Sequence, residues 1–279
     1  MIQPVAGLGV AMLFAGVVIA QDLLPEALMS DRFDKSTVID NPWLPMKPGM
    51  RYVYEGTTVE DDGEVLPHKV IINITDLTKT IGGVRGLISY DEDWSDGKLK
   101  EAELAIFAQD KSGTVWRLGE YPEEYEDGTT IEKAPAWIHG YDGALAGIAM
   151  KADPKTKTTS YAQGWGPAVG WTDRGQIYKT GQTVKVPAGE FTDVLVIRET
   201  AASEVGASQL KYFARGIGNV KVGWTGEDKT REKLELVRIE KLDATALAEV
   251  RKKALALENS AYVKTKTPYR NTQPANLLK

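Results

Sequence analysis

RYVYE (51–55), KVIINI (69–74), VRGLISY (84–90), EAELAIF (101–107) and TVWRL (114–118) follow one another at short intervals, and Asp-Gly pairs stand at 62–63, 96–97 and 127–128. Their apolar positions recur with period two, in runs rich in Val, Ile, Tyr, Phe and Trp, as a pleated strand with one covered face requires. Asp-Gly supplies two neighbours that tolerate positive φ, which is what a tight hairpin needs. The rhythm resumes at 158–163, 183–186, 193–199, 209–214, 219–224 and 233–239. Eleven or so such runs with no helical period between them predict a mainly β chain over 50–242, a large curved antiparallel sheet or open barrel rather than a parallel α/β fold.

A helical period comes only after the strands. Asp243 is placed to cap a helix, and Leu247, Val250, Ala254 and Leu257 share one face, predicting an amphipathic helix over 243–258 that packs on the sheet or on a partner. The stretch 259–279 is polar, carries Pro268 and Pro274, and reads as an extended tail that only another subunit would tie down. On the other side of the sheet, 25–49 reads as a linker broken by Pro25, Pro42, Pro45 and Pro48. Trp43 and Leu44 sit between its prolines, either stapling a loop over the core or meeting a partner.

The first twenty residues carry no charge, and PVAGLGVAMLFAGVVIA (4–20) is almost wholly apolar. Two readings of 1–24 stand: a secretory signal peptide cleaved after Ala20, or an uncleaved transmembrane helix. As a helix the run spans about 25 Å, short of a roughly 30 Å hydrocarbon core, which favours the signal peptide. Against that, no Lys or Arg precedes the run, and Gly7, Ala11 and Ala15 form a small-residue stripe of the kind that packs membrane helices together. Either reading brings the chain to a lipid bilayer and places the remainder outside the cytoplasm, in a periplasmic setting.

Composition excludes much chemistry. No Cys means no disulfide framework, thiolate nucleophile or Cys-ligated metal, and two His, His68 and His139, cannot build a three-histidine site. A net charge of −5 from 34 Lys and Arg against 39 Asp and Glu argues against nucleic-acid binding. Gly-x-Ser-x-Gly, Walker and His-Glu-x-x-His patterns are absent. Two acidic stretches suggest calcium, because hard cations take carboxylate oxygens from such loops: 91–97, with Asp91, Asp93 and Asp96, and 120–127, with Glu123 and Asp127. The first is no EF-hand, since Asp96 stands where that loop needs Gly. His139 with Tyr141 and Asp142 is the one local trio with acid/base potential, against a structural histidine. Asn73-Ile74-Thr75 matches a glycosylation acceptor but falls within a strand.

NPWLPMKPGMRYVYEG (41–56), FAQDKSGTVWRLGEY (107–121), HGYDGALAGIAM (139–150), VPAGEF (186–191) and YFARGIGNV (212–220) together resemble an uncharacterised family of exported bacterial β-rich proteins. In that group, runs like NPYFPLKPG, AQD-x-x-GNVW-x-x-GE, DGA-x-PGI-x-M, VPAGxF and Y-x-APGVGxV recur. The resemblance covers roughly 41–240 and implies export and an antiparallel β architecture, without implying a reaction. The chain departs from the pattern at Ala105 and Ile106, where the group has an acidic residue and Trp, and near 171–173, where only Asp173 remains of an acidic pair.

The expectation is therefore a non-enzymatic, membrane-anchored accessory subunit of a membrane complex, respiratory or photosynthetic in type. The N-terminal helix and tail would contact the other subunits, with Gly7, Ala11, Ala15 and Trp43 as interaction residues and no cofactor unless calcium. The alternative is a soluble exported protein holding a lipid or calcium in the concave face of its sheet, and a hydrolase resting on His139 and Asp142 is a third.

Overall fold

The computed structural model describes residues 24–60 and 62–278. Gly7, Ala11 and Ala15 lie outside them. No helix among the described residues is long and apolar enough to cross a membrane.

The strands are β1 (Met50–Val59), β2 (Val65–Ile81), β3 (Val84–Ser95), β4 (Lys98–Gln109), β5 (Val115–Tyr125), β6 (Ile131–Lys133), β7 (Trp137–Ile138), β8 (Leu145–Met150), β9 (Tyr161–Ala162), β10 (Gly164–Trp165), β11 (Arg174–Val186), β12 (Gly189–Thr200), β13 (Ala207–Ala214), β14 (Gly218–Gly226), β15 (Lys233–Lys241) and β16 (Asn276–Leu277). All pairs are antiparallel, in the order β10-β8-β5-β4-β3-β2-β1-β15-β14-β13-β12-β11-β9. Eight of the twelve neighbouring pairs on this path are consecutive in sequence, which is what hairpin turns produce. Asp96 and Gly97 between β3 and β4 both adopt positive φ, as do Gly82 and Gly83 between β2 and β3, the backbone that matches the twist of paired strands.

The two ends of this path are one residue apart in the chain. Residues 161–162 pair with β11 and residues 164–165 pair with β8, so the sheet curls until Gln163 joins its edges. Gly147 makes that approach possible: a Cβ there would lie 2.1 Å from the Gly164 nitrogen. Gly147→Ala is expected to part β8 from β10 and lower stability by about 2–4 kcal/mol, since backbone cannot give way as a flexible side chain can; urea unfolding measures it.

One end of the curl is closed by the segment 41–48. Asn41 Oδ1 accepts from the Trp43 and Leu44 amides, and its Nδ2 donates to the carbonyls of Gly113 and Lys151. Trp43 is only 5% exposed, with Arg215 stacked 4.0 Å from its ring. Of the two readings of Trp43, a staple over the core and a contact for a partner, its burial matches the staple, because burying a large aromatic surface is favourable wherever the chain can reach the core.

The helix α1 (Ala244–Val263) starts where expected, with Asp243 Oδ1 accepting from the Ala246 amide, but it runs five residues beyond 258. The tail is not left for another subunit. Residues Pro268–Asn271 form a 3-10 turn, and β16 adds to β2. Both are held from beneath by Lys79, whose Nζ donates to Glu258, Tyr262 and the Gln273 carbonyl.

Candidate functional site

Cross-strand register separates the two faces of β3, β4 and β5. Ile88 opposes Ile106, Tyr90 opposes Leu104, and Leu104 opposes Tyr121. These side chains are buried on the face that meets α1 and the tail, where Tyr121 packs 5.1 Å from Tyr269. The alternate positions point into the curl: Asp91 opposes Glu103, Asp93 opposes Glu101, and Glu101 opposes Glu124. Like charges directly across a ladder repel, so the sheet accepts a local cost to line its interior with acid.

A bulge adds the groups that hold this interior together. Ile106 pairs with Gly119 but Phe107 pairs with Arg117, leaving Leu118 as the extra residue. The inserted residue re-aims the strand, so Arg117 and Glu120, three apart, emerge on one face and form an ion pair at 2.9 Å. Lys211 on β13 pairs with Glu199 on β12 at 2.7 Å, and Gln163 Nε2 donates to the same carboxylate at 2.6 Å. The residue that joins the sheet edges is thus tied to the polar centre.

The interior has two chambers. An open cavity of about 850 Å³ has thirteen carboxylates among its lining side chains, against Lys100, Arg117, Lys211 and His68. Arg117, Trp171, Asp173, Glu199 and Lys211 form a waist, beyond which lies a chamber of about 170 Å³ bounded by Tyr52, Tyr54, Ile72, Phe107 and Phe213, with Leu44 and Met46 of the closing segment also in its wall. The Trp171 ring is braced by Trp137 at 4.8 Å, and the Arg117 guanidinium lies 5.6 Å from it.

Burial and mutual repulsion distort the acid groups. Burial, then Asp93, pushes the Glu101 carboxyl up to about 8. Glu103 goes to about 8 through burial and Glu101, against the pull of Arg117. Glu120 rises to about 7 through burial and Glu103, Asp91 to about 7 chiefly through burial, and Asp173 to about 6 through burial and Glu199. Glu199 moves the other way: burial would raise it, but Lys211 and Gln163 outweigh that and hold it below its usual range. Two buried atoms facing this interior, Asp91 Oδ1 and Glu103 Oε1, take no hydrogen bond. A group held near neutrality in this way is a mark of a functional cleft.

The calcium candidates are dispersed. Asp91 and Asp93 are strand residues facing the interior. Asp96 is a hairpin residue at positive φ. Glu123 faces the opposite side of the sheet and accepts from the Tyr121 and Tyr125 hydroxyls. Asp127 folds back on its own turn, accepting from the Thr129 and Thr130 amides, which hold its carboxyl well below the usual range. Strand alternation separates Glu123 from Glu124 and Glu120, so 120–127 is not one acidic loop.

His68, Asp93 and Glu232 gather their ligand atoms within 4.8 Å, but the imidazole meets Asp93 through Nε2 (2.8 Å) and Glu232 through Nδ1 (3.3 Å). Nδ1 makes no hydrogen bond, so its contact with Glu232 is one of charge alone, and the two carboxylates favour the protonated imidazole. Burial would lower its pKa, but the hydrogen bond and charge of Asp93 with the charge of Glu232 raise it. His139 is structural: its Nδ1 accepts from the Ala146 amide, burial lowers its pKa, and Asp142 is an exposed turn residue at positive φ. Asn73 is buried between Arg51 and the Tyr90 carbonyl, with no room for a glycan.

Sequence reading missed Glu101, Glu103, Arg117, Glu199 and Lys211, and took Glu120 only as the start of the acidic stretch 120–127. The signal was present as Glu101-x-Glu103 and Asp91-x-Asp93, alternate acids on strands, but alternation reads equally as a solvent-facing side.

No protein-family model and no curated protein sequence matches the chain. Among solved structures it is similar to a Bacteroides fragilis protein provisionally described as exported, with a YmcC-like fold (14% identity, TM-score 0.41, covering 71% of this chain and 99% of that one). It is also similar to a Parabacteroides distasonis protein provisionally described as a lipoprotein (10% identity, TM-score 0.39, covering 74% and 100%).

Proposed function

We propose that this chain is an exported, non-enzymatic binding protein that takes a cationic ligand into the acidic interior of its sheet. The observation that carries the reading is the charge imbalance of the large cavity, whose carboxylates outnumber its cations and include the unpartnered Glu103 Oε1. A focused negative field attracts cations and raises their local concentration. The same lining argues against the lipid alternative, because an acyl chain would desolvate carboxylates and return no hydrogen bond. Export is supported by the apolar run 4–20.

The accessory-subunit alternative loses two of its three supports: Trp43 is buried in the chain's own fold, and the tail closes on β2. Its third, the stripe Gly7, Ala11 and Ala15, lies outside the described residues.

Isothermal titration at pH 8.5 and low salt tests the cation reading with spermidine and calcium chloride, and with sodium sulfate as the anionic control. At least one cation is expected to bind and sulfate not to. Replacing Glu101 and Glu103 together by Gln is expected to weaken the binding about tenfold, because charge-assisted contacts are worth about 1.5–3 kcal/mol each. Absence of heat from both cations would sink the reading.

A further inference from the structure

We propose that the inner chamber is the seat of an organic ammonium ion: Asp91 receives the charged nitrogen, and the aromatic wall receives an apolar substituent. The ligand class is thus a protonated amine with an aliphatic or aromatic body, not a bare metal ion. This rests on the reading of the interior as a cation site and adds to it the identity of the group at its deepest point.

Three observations converge on the chamber. The first is Asp91 itself. Its Oδ1 is shielded from solvent and takes no hydrogen bond, and its Oδ2 has only a long contact, 3.5 Å, with the Ser89 hydroxyl. Arg117 acts on it through space, yet among the described residues no Lys or Arg forms an ion pair with it. A buried carboxylate oxygen left open is costly unless something donates to it.

The second is the wall. Tyr52, Tyr54 and Phe107, with Ile72 and Phe213, surround the same 170 Å³ space. Aromatic faces attract an ammonium and accept a hydrocarbon body equally well.

The third is what the chamber lacks as a metal site. Calcium takes six to eight oxygen ligands. Asp91 is the one carboxylate in the body of the chamber: the other two in its lining, Asp173 and Glu199, stand at the waist, where Glu199 is already engaged by Lys211 and Gln163, and the Tyr54 hydroxyl is spent on the Asn219 carbonyl. An ammonium needs few acceptors and tolerates apolar neighbours. The route is set by the same architecture, since the chamber meets the acidic outer cavity at the waist and the segment with Leu44, Pro45 and Met46 stands in its wall.

The experiment compares 2-phenylethylamine, ammonium chloride and spermidine by isothermal titration at pH 8.5, using the wild-type chain, Asp91→Asn and Ala149→Phe. Ala149 lines the chamber, so the larger ring fills it. Expected for the wild type is tighter binding of 2-phenylethylamine than of ammonium by about tenfold or more. Asp91→Asn should lose that binding by a similar factor while its unfolding midpoint rises, which separates loss of the site from loss of the fold. Ala149→Phe should abolish 2-phenylethylamine binding and keep spermidine, which the outer carboxylates hold. Unchanged 2-phenylethylamine binding in Asp91→Asn overturns the proposal even if Ala149→Phe fails to fold. Spermidine binding without any preference for the arylalkyl amine overturns it too, leaving the broader cation reading intact. If neither spermidine nor 2-phenylethylamine binds the wild type, the proposal falls, and with calcium also silent the cation reading falls with it.

Discussion

Lys79→Met is expected to lower the unfolding free energy by about 3–5 kcal/mol, the cost of stranding one partner of a buried ion pair. The Lys79 side chain is wholly buried and its Nζ lies 2.7 Å from Glu258 Oε1. Around the pair stand the Tyr262 and Tyr269 rings, 5.4 and 4.3 Å from the ammonium, and the Tyr269 hydroxyl donates to the same carboxylate. Methionine fills the space but leaves Glu258 charged with no counter-ion. Adding Glu258→Gln should recover part of the loss, because a neutral amide is cheaper to bury. Urea unfolding of the two variants measures this, and proteolysis within 264–278 should accelerate in Lys79→Met alone. A single-variant loss below about 1 kcal/mol, within the range of an ordinary surface pair, would mean the tail is held by packing and not by this pair.

The second large effect is on pH. Glu101, Glu103, Glu120, Asp91 and Asp173 have native values of about 8, 8, 7, 7 and 6, each above its ordinary 4.5 or 3.8. The native state therefore holds protons that the unfolded chain has released, and stability falls as pH rises between about 4 and 8. His68 acts in the same direction: its raised value gives stability that is complete below 6.5 and is lost as pH rises through the native value. Glu199, held low, opposes them only in acid, where its contribution disappears as pH drops through its native value. The midpoint should peak near pH 5 and fall toward pH 9, with a total loss on the order of a few kcal/mol because the acids titrate together. Glu103→Gln should flatten the fall and raise the midpoint at pH 9, since it removes a buried charge that meets Glu101 and Asp91. Thermal unfolding from pH 4 to 9 tests this; a midpoint that climbs steadily to pH 9 would refute the burial of these acids.

Much of the architecture was legible. Strand runs at 51–55, 84–90, 101–107, 193–199 and 233–239 lie inside observed strands, and Asp243 caps the helix, because strand period and helix caps are properties of a few neighbouring residues. The segment 145–150 was passed over: Leu145–Met150 is rich in Ala and Gly, with little β-branched signal, and its strand exists because β5 on one side and β10 on the other supply partners. The opposite error occurred at 158–163, where only Tyr161–Ala162 pair as predicted. There the chain turns from one sheet edge to the other, a fact with no local signature.

The candidate site shows the same division more sharply. Asp91, Asp93, Glu101 and Glu103 announce two strand faces of opposite character, and the sequence alone determines that much, along with the antiparallel pairing of successive strands, the capped helix, the missing cysteine chemistry and the acidic charge. Ordinarily the apolar face would form the interior and the charged face would meet water. Here the apolar face of β3 to β5 is covered from outside by α1 and the tail, while the curl closed at Gln163 folds the charged face inward. That inversion follows from contacts between residues far apart in the chain, Lys79 with Glu258, Gln163 with Glu199 and Gly147 with Gly164, so only the tertiary structure decides that the acids line a cavity and not a surface.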